Sequence, residues 1–342
     1  MKILITGATG IVGKPLVEKL RSQNIPIHFL TTKKSKQNDF SEAKGFHWNP
    51  KKNQIEESCF EGVTHLIHLA GASISKRWTV KYKREIRESR VLGTRLLLDT
   101  LKKLNKKHTV KHVVAASAIG CYPSDFDHFQ DESADVHDDS FLSSVVLDWE
   151  KTIDDFESLN ITVTKLRIGL VLSTSGGVIP ALKWPTKLGV LAAIGNGKQG
   201  QSWIHVSDLV NLFVIALQQG WKGTYNAVAP NPVTQNEFMK QLASAFGRFV
   251  WLPPIPKFVI RMLYGSMSIV LFNSHWIKAD KVLAKGFEFR YVELNKDITK
   301  LISHLGKIIV LAIHLPSVYF KQRLWQRKIH RQPRKHRQKK NL

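Results

Sequence analysis

Short apolar runs alternate with longer amphipathic segments along the first half of the chain. Lys2–Thr6 and Ile25–Thr31 are β-branched apolar runs, and the segment between them places Leu16, Val17 and Leu20 on one helical face. This strand–helix–strand order predicts a βαβ unit, and therefore a parallel sheet.

The same alternation continues to about residue 172. Further strands are predicted at Val63–Ala70, Val110–Ser117 and Ile161–Leu172, with helices at Lys81–Leu104 and Asp139–Leu159. Each strand is a nearly continuous apolar run, which is typical of a sheet covered on both faces. The pattern predicts an α/β fold built on a doubly wound parallel sheet.

Glycine-rich and proline-rich segments interrupt the pattern after about Gly176. Apolar helices are predicted at Val206–Gln218 and Asn236–Phe246, and a proline cluster then opens a small terminal module that ends near Ile302. We expect a sheet domain at 1–175 with returning segments at about 200–235, a smaller C-terminal substrate-side module at 176–302, and a basic tail at 303–342.

Composition sets the class of protein. Of the 342 residues 43% are apolar, an ordinary fraction for a globular chain. Only two cysteines, Cys59 and Cys121, are present, so no disulfide framework is expected and a reducing, cytoplasmic location is predicted. The chain begins directly with a strand pattern, so no signal peptide is predicted, and no stretch approaches the roughly 18 uncharged apolar residues of a membrane span.

The net charge of +24 is unevenly distributed. Residues 303–342 contain eleven Lys or Arg residues and no Asp or Glu. Because the apolar stretch Lys307–Phe320 precedes most of these charges, the tail could contact an anionic membrane surface or nucleic acid. The alternatives are a disordered extension and a shifted reading frame, and the abrupt loss of acidic residues favours these.

A glycine motif marks the end of the first predicted strand. Gly7, Gly10 and Gly13 give G-x-x-G-x-x-G between a strand and a helix, where the bare backbone can turn tightly and approach a pyrophosphate at the helix N-terminus. This context predicts a dinucleotide site that also includes Thr9 and Ile11. The alternative is a glycine-rich turn that binds no ligand.

The end of the second strand discriminates between cofactors. An acidic residue there would hold the ribose 2′-hydroxyl of NAD(H), whereas a 2′-phosphate needs positive charge. The strand ends in Thr31, Thr32, Lys33 and Lys34, with no carboxylate before Asp39. NADP(H) is therefore favoured over NAD(H), unless these lysines are only solvated loop charges.

Several motifs together resemble the extended short-chain dehydrogenase/reductase superfamily. They are GATGIVG, HLAGA (His68–Ala72), RVLGTRLLL (Arg90–Leu98), SAIGCY (Ser117–Tyr122) and SWIHVSD (Ser202–Asp208). RWT before a long helix, ESR before VLGT, the Trp149–Glu150 pair and the ending GFEFRY are similar to its atypical branch, labelled "epimerase family protein" or nucleoside-diphosphate-sugar epimerase-like. The resemblance covers roughly residues 1–300 and implies a Rossmann-type sheet with a small C-terminal module of unassigned function.

The resemblance also implies positions at the cofactor and the substrate. The cofactor would be lined or approached by Leu69, Ala70, Gly71, Glu85, Arg90, Arg167 and Leu170. Ser117 matches a serine that hydrogen-bonds a substrate oxygen, and Arg90 stands where other members have an active-site Asn. Trp203 and His205 are expected on the substrate side, although in relatives this segment mostly braces the substrate loop and starts a helix.

Catalysis in this superfamily rests on Tyr-x-x-x-Lys, in which the lysine lowers the pKa of the tyrosine. None of the six tyrosines has a lysine four residues later, and Val145 and Trp149 stand roughly where the pair should be. The remaining catalytic candidates are Ser117, Tyr122 and Glu150. Glu150 would be a general acid or base if burial raised its pKa; local pairing of Glu150 and simple packing of Tyr122 are the alternatives.

Two functions of different classes remain open. One is an NADP(H)-dependent oxidoreductase or epimerase acting on a small carbonyl or sugar-like molecule with a non-standard proton donor. The other is a non-catalytic dinucleotide-binding sensor or scaffold protein. No metal site is expected, and a homodimer is one expectation because extended members of the superfamily often dimerise through paired helices.

Overall fold

The computed structural model describes residues 1–136 and 139–302. Its strands, in chain order, are β1 (Ile3–Thr6), β2 (Ile27–Thr31), β3 (Ala43–Asn49), β4 (Gln54–Ile55), β5 (His65–His68), β6 (His112–Ala118), β7 (Phe129–Gln130), β8 (Thr162–Ile168), β9 (Leu170–Leu172), β10 (Gly200–Gln201), β11 (Trp203–His205), β12 (Gly223–Ala227), β13 (Val233–Thr234) and β14 (Trp276–Ile277). Its helices are α1 (Gly13–Ser22), α2 (Val80–Leu104), α3 (Phe141–Asp154), α4 (Val178–Lys187), α5 (Val206–Gln218), α6 (Gln235–Ala245), α7 (Lys257–Tyr264), α8 (Ile269–Phe272) and α9 (Asp280–Ala284). A further helix begins at residue 294 and continues to 302.

One sheet carries the fold, with the strand order β12-β8-β6-β5-β1-β2-β3-β4. All neighbouring strands are parallel except β3 and β4. From β1 the chain first builds outward through β2 and β3, then returns to the other side of β1 with β5. The topology therefore reverses between β1 and β5, which is where ligands of doubly wound sheets bind.

Helices cover both faces of this sheet, with α1 packed on α5 and α2 packed on α3. The side chains of β1 and β2 are entirely buried, as their continuous apolar runs predict. The predicted βαβ unit, the predicted helix Val206–Gln218 and the Rossmann-type α/β class are thus confirmed.

The predicted strand Ile161–Leu172 is wrong as a single element. It breaks at Gly169: β8 stays in the main sheet, while β9 leaves it and pairs with β11, with Leu170 opposite Trp203. The glycine is required because a Cβ at this position would lie 2.4 Å from the carbonyl oxygen of Ser202. The break thus brings the segment after β8 against residues 202–205.

The C-terminal module packs against the end of the sheet domain. β14 pairs with β7, and β10 pairs with β13. Leu294 and Ile298 join a second core with Phe238 and Leu242 of α6. Among the described helices none is both long and apolar enough to cross a bilayer. The predictions for residues 303–342 concern a segment outside the described residues.

Candidate functional site

The glycine turn connects β1 to α1 at the point where the topology reverses. Gly7 has a φ of +72°, and a Cβ there would lie 2.9 Å from the carbonyl carbon of Leu69. A Cβ at Gly13 would lie 2.2 Å from the carbonyl oxygen of Gly7. The turn therefore brings the ends of β1 and β5 and the start of α1 closer together than any side chain would permit.

A cavity of about 430 Å³ opens beside this turn. Seven residues predicted at the cofactor line it: Gly7, Thr9, Thr31, Thr32, Ala70, Gly71 and Glu85. They come from the ends of β1, β2 and β5 and from α2, which are far apart in the sequence. The structure therefore brings them together as one site, which we call the first cavity.

The other predicted cofactor residues are placed around this cavity or beyond it. Gly10 and Ile11 are exposed in the turn, where Ile11 approaches Gly176, and Gly13 is buried beneath the turn. Lys33 is exposed beyond the end of β2, and its backbone N–H donates to the Oγ1 of Thr31. Leu69 is half-buried, and Arg90, Leu170 and Arg167 lie at the features described below.

The first cavity also contains a cation that the sequence analysis missed. Lys51 lines the cavity together with Trp48, Asn49 and Pro50, immediately after β3. The strand β3 was not predicted because AKGFHWN is neither continuously apolar nor regularly alternating. With β3 unknown, nothing in the sequence alone placed Lys51 beside Thr31.

A buried hydrogen-bond chain fixes the adjoining ends of β1 and β5. The Oγ1 of Thr6 accepts from the backbone N–H groups of Leu69 and Ala70, and lies 2.7 Å from the Nδ1 of His68. The hydroxyl proton is then available to Nδ1, so Nε2–H of His68 donates to Thr94. Burial, and secondarily the charge of Arg90, lowers the pKa of His68 to about 4, consistent with a neutral imidazole.

A second cavity, of about 210 Å³, lies between α3, the break after β8 and the C-terminal module. Its lining is mainly aliphatic and includes Leu142, Val145 and Val146 of α3. Arg90 and Leu170, both predicted at the cofactor, also line it. Val145, at the position expected for the superfamily tyrosine, therefore faces a cavity without supplying a group that could donate a proton.

Among the described residues that line the second cavity, Arg90 carries a full positive charge on its guanidinium. Its Nη1 donates to the carbonyl oxygens of Ala72 and Ile86, and its carbon lies 5.2 Å from the centre of the Trp149 ring. Burial lowers its pKa to about 10, and no carboxylate among the described residues forms a salt bridge with it. Arg90 and Trp149 thus present a cation near the position expected for the missing lysine.

Ser117, Tyr122 and Glu150, the predicted catalytic residues, lie together in a buried network and do not line the second cavity. Ser117 donates to the Oε1 of Glu150. Arg167 donates to both oxygens of Glu150 and to the hydroxyl of Tyr122, which itself donates to Asn226. The lining begins one residue after Ser117, at Ala118, and continues through Ile119 and Gly120, at the carboxyl end of β6 and in the turn that follows it.

Charges within the network keep Glu150 ionised. Burial alone would raise its pKa, but the bidentate contact with Arg167, the hydroxyl of Ser117 and the charge of Lys165 outweigh burial and leave the pKa below its ordinary value. For Tyr122, burial dominates over Arg167 and the pKa is raised. Burial therefore does not raise the pKa of Glu150 as a general-acid role requires, and the geometry fits the alternative of local pairing.

The SWIHVSD segment fastens the end of the module to α5. The Nδ1 of His205 caps α5 by accepting from the N–H of Ser207, and its ring stacks on Tyr291 at 3.7 Å. Asp208 accepts from the backbone N–H groups of Arg290 and Tyr291. The Nε1 of Trp203, fully buried, donates to the carbonyl oxygen of Asn231. These contacts match the alternative reading of a segment that braces a loop and starts a helix.

Four polar residues of the second cavity were not anticipated from the sequence. Gln201, Ser202, Asn273 and His275 line it on the side of the C-terminal module. Ser202 donates to the carbonyl oxygen of His275 and accepts from the N–H of Ile277. Residues 201 and 275 are brought together by a parallel bridge, a long-range pairing that no local pattern indicates.

Two protein-family models match the chain. The NAD dependent epimerase/dehydratase family matches residues 3–227, and a domain of unknown function, DUF1731, matches residues 255–298. The first match includes the glycine turn and all the strand ends that line the first cavity. The second begins just before α7 and includes the module residues Asn273 and His275.

Curated relatives match along most of their length. An epimerase family protein of Staphylococcus haemolyticus is 34% identical over 299 residues, which cover 86% of this chain and 96% of that protein. The chloroplastic homolog of epimerase family protein SDR39U1 from Arabidopsis thaliana is 34% identical over 293 residues, covering 85% and 84%.

Solved structures share the fold at lower identity. Human epimerase family protein SDR39U1, isoform 2, crystallised with NADPH, superposes with a TM-score of 0.76 at 24% identity, covering 88% of this chain and 99% of that one. A UDP-glucose 4-epimerase of Thermotoga maritima with UDP-glucose gives 0.72 at 20% identity, covering 90% and 100%.

Proposed function

Because the chain belongs to the NAD dependent epimerase/dehydratase family, we propose that it binds NADP(H) and acts as an oxidoreductase or epimerase on a small carbonyl or sugar-like substrate. The observation that carries the proposal is the first cavity, where the glycine turn meets the ends of β1, β2 and β5. The second cavity, lined by Arg90 and Leu170 on the carboxyl side of the same sheet, offers space for a reacting group.

The residues of the first cavity fit a dinucleotide. The turn at Gly7 and Gly10 leaves the N-terminus of α1 open to a pyrophosphate, which its backbone N–H groups and helix dipole would attract. A Cβ at Gly10 would lie 3.2 Å from the carbonyl oxygen of Gly7, closer than an ordinary van der Waals contact, so the turn favours glycine here too. Ala70 and Gly71, which follow β5, line the same cavity opposite the end of β2 in the sequence of strands β5-β1-β2.

The preference for NADP(H) rests on charge at the end of β2. Thr31 and Thr32 line the first cavity, no carboxylate follows β2 before Asp39, and Lys51 adds a cation from the end of β3. Lys33 and Lys51 together would attract a 2′-phosphate. The solved human relative was crystallised with NADPH, which is in line with this preference.

Bound nicotinamide would supply or accept a hydride, and the chain's own residues would position the substrate and move the proton. The lining of the second cavity holds the substrate against Leu170 and the aliphatic residues of α3. Arg90 provides the cation that stabilises negative charge developing on a substrate oxygen. His275 lines the same cavity, and because an imidazole can both donate and accept a proton, we assign it the proton exchange that Val145 does not perform.

One observation favours the alternative function, a non-catalytic sensor or scaffold. The side chains of Ser117, Tyr122 and Glu150 are occupied by one another and by Arg167, and Val145 and Trp149 replace the superfamily pair. Oxidation of NADPH with any member of a panel of small carbonyls and nucleotide sugars would support the enzyme. If no member of the panel reacts although NADPH binds tightly, the result would favour the sensor or scaffold function over the enzyme.

Calorimetric titration with NADPH, NADP⁺, NADH and NAD⁺ tests the proposal directly. We expect the phosphorylated forms to bind more tightly and Gly10→Asp, which places a carboxylate in the turn, to abolish their binding. Ser22→Asp, at the exposed far end of α1, adds the same charge and should bind as the wild type does. Absence of binding by all four nucleotides would refute the proposal.

The cytoplasmic location and the homodimer stay predictions. The two thiols, Cys59 and Cys121, are buried and free, and burial raises the pKa of both.

A further inference from the structure

Six large apolar side chains on the C-terminal side of the molecule are exposed to solvent. They are Trp184, Leu188, Phe249, Trp251, Phe258 and Met262, each at least 66% exposed. We call this set the apolar face. Single exposed apolar residues are ordinary, but six large ones, including four aromatic rings, on adjoining segments are characteristic of a binding surface.

Hydrogen bonds hold the three segments of the apolar face side by side. The Nε1 of Trp251 donates to the carbonyl oxygen of Gly189, which joins the loop after α4 to the loop before α7. The N–H of Ile255 donates to Ala193, and the N–H of Gly195 donates back to Ile255. The start of α7 is thereby tied to the same chain segment that follows Leu188.

Helix α7 is attached to the molecule along one narrow side. Ile260 is its buried residue, packed with Ile194 and Phe272. Lys257 and Arg261 lie over the Phe272 ring, at 5.6 and 5.7 Å from its centre. Phe258 and Met262, four residues apart and so on one helical face, are left pointing to solvent.

The chain segments that carry the apolar face bear charge of a single sign. Residues 158–207 and 238–279, which contain all six members, include no Asp or Glu. The same segments around the face contribute Lys183, Lys187, Arg248, Lys257 and Arg261. Segments that combine exposed Trp and Phe with lysine and arginine, and that carry no carboxylate of their own, are complementary to an anionic lipid bilayer.

We propose that the apolar face docks on the surface of an anionic membrane. Trp184, Trp251 and Phe258 insert at the headgroup level, and the surrounding cations contact lipid phosphates. A second copy of the chain would bring the same cations against each other, which disfavours a symmetric dimer through this face. The inference is independent of the proposed function because it requires neither nucleotide nor turnover.

Docking has a consequence for the second cavity. Val270, Asn273 and His275, which line that cavity, follow α7 in the chain by fewer than twelve residues. The segment that contacts lipid on one side therefore continues into the cavity wall on the other. A docked molecule would hold this wall close to the bilayer.

Flotation of the full-length protein with vesicles tests the proposal. Vesicles of phosphatidylcholine are compared with vesicles containing about 30% phosphatidylglycerol at low and high salt. The variant Trp184→Ser/Phe258→Ser/Met262→Ser removes members of the apolar face that make little contact with the core. Val80→Ser/Phe129→Ser, at exposed apolar residues elsewhere, is the matched control. Unfolding by urea checks that both variants remain folded.

We expect the wild type and the control to float with the anionic vesicles and to be released by salt, and the triple variant to partition at least about tenfold less. Because the triple variant keeps residues 303–342, undiminished flotation would assign lipid binding to the tail and overturn the proposal. Absence of flotation by the wild type would also overturn it. A wild-type dimer that becomes monomeric in the triple variant, without flotation, would instead identify the face as a self-interface.

Discussion

Arg167 holds both carboxylate oxygens of Glu150 inside the protein. Its Nε donates to Oε1 and its Nη2 donates to Oε2, and each donor–acceptor distance is 2.9 Å. The sheet register places Arg167 between Ser117 of β6 and Asn226 of β12, so three polar side chains meet Glu150 or Tyr122 on one face. This arrangement satisfies every charge in the network and makes it a structural element beside the cavities.

Removing the carboxylate charge should strongly destabilise the fold. Glu150→Gln leaves the buried guanidinium of Arg167 without its counter-ion, and we expect a loss of about 3–5 kcal/mol in the free energy of unfolding. Asp148→Asn, on the same helix, breaks the partly exposed pair with Arg87 and should cost at most about 1 kcal/mol. Urea denaturation measures both; equal, small losses would contradict the structural role.

Acid should destabilise the protein through its buried and half-buried histidines. The ordinary pKa of 6.5 in the unfolded chain exceeds the folded value of about 4 for His65, His68 and His205. The unfolded state therefore binds more protons between these values, so stability is full above pH 6.5 and falls as the pH drops toward 4. Each group contributes about 1.4 kcal/mol per pH unit.

The variant His68→Gln isolates one of these contributions. Its stability should fall less steeply than that of the wild type between pH 6.5 and 5, by about 1.4 kcal/mol per unit. Thr94→Val removes a hydrogen bond of His68 but keeps the imidazole, and should lower stability without reducing the slope. An unchanged slope in His68→Gln would mean that this group is not buried in its neutral form.

Lys51 should contribute to the discrimination between phosphorylated and unphosphorylated nucleotides. Lys51→Gln removes a cation from the first cavity. We therefore expect the dissociation constant of NADPH to rise by about tenfold or more, and that of NADH to change little. Lys52→Gln, at a neighbouring residue that does not line the cavity, is the control. Titration calorimetry measures the dissociation constants of NADPH and NADH. Equal losses for both nucleotides would argue against a contact with the 2′-phosphate.

Gly13 should tolerate no side chain. The Cβ of Gly13→Ala would lie 2.2 Å from the carbonyl oxygen of Gly7, so α1 must shift, at a cost of about 1–3 kcal/mol and with loss of nucleotide binding. Gly93→Ala, inside α2, meets no atom closer than the Trp48 ring at 3.4 Å and should be neutral or stabilising. Thermal unfolding with and without NADPH compares the two.

His275 should control turnover but not nucleotide affinity. With a compound from the carbonyl panel that is reduced, His275→Gln should lower kcat by about a hundredfold and remove the imidazole limb of the pH profile. The affinity for NADPH should be unchanged. Asn273→Ala, in the same cavity wall, should affect KM more than kcat. A wild-type pH profile in His275→Gln would exclude the imidazole as the proton donor.

The parts of the fold that local pattern determines could be predicted from the sequence. Helix α5 has the predicted limits Val206–Gln218 because its apolar periodicity is uninterrupted and the segment before it supplies a cap. The glycine turn is equally local, since its spacing and flanking elements lie within twenty residues.

The features of the site that could not be predicted from the sequence depend on pairings between distant residues. The partner of Glu150 is Arg167, on the next strand. Only the packing of α3 on β8 shows that this ion pair lowers the pKa of Glu150 by more than burial raises it. The cavity wall begins at Ala118 and not at Ser117, a difference of one residue at the carboxyl end of β6 that the motif alone does not reveal. His275 reaches the site through a bridge to Gln201, across more than seventy residues.

The contacts of Asp208 bear on the order in which the chain can fold. This carboxylate is buried, burial raises its pKa, and the N–H groups that compensate it belong to Arg290 and Tyr291. During synthesis, Asp208 leaves the ribosome about eighty residues before those donors, and the last strand of the sheet, β12, leaves it about sixty-five residues before them. Until the end of the module arrives, Asp208 lacks the two backbone donors that compensate its burial in the native state, so completion of that state waits for translation of nearly the whole described chain.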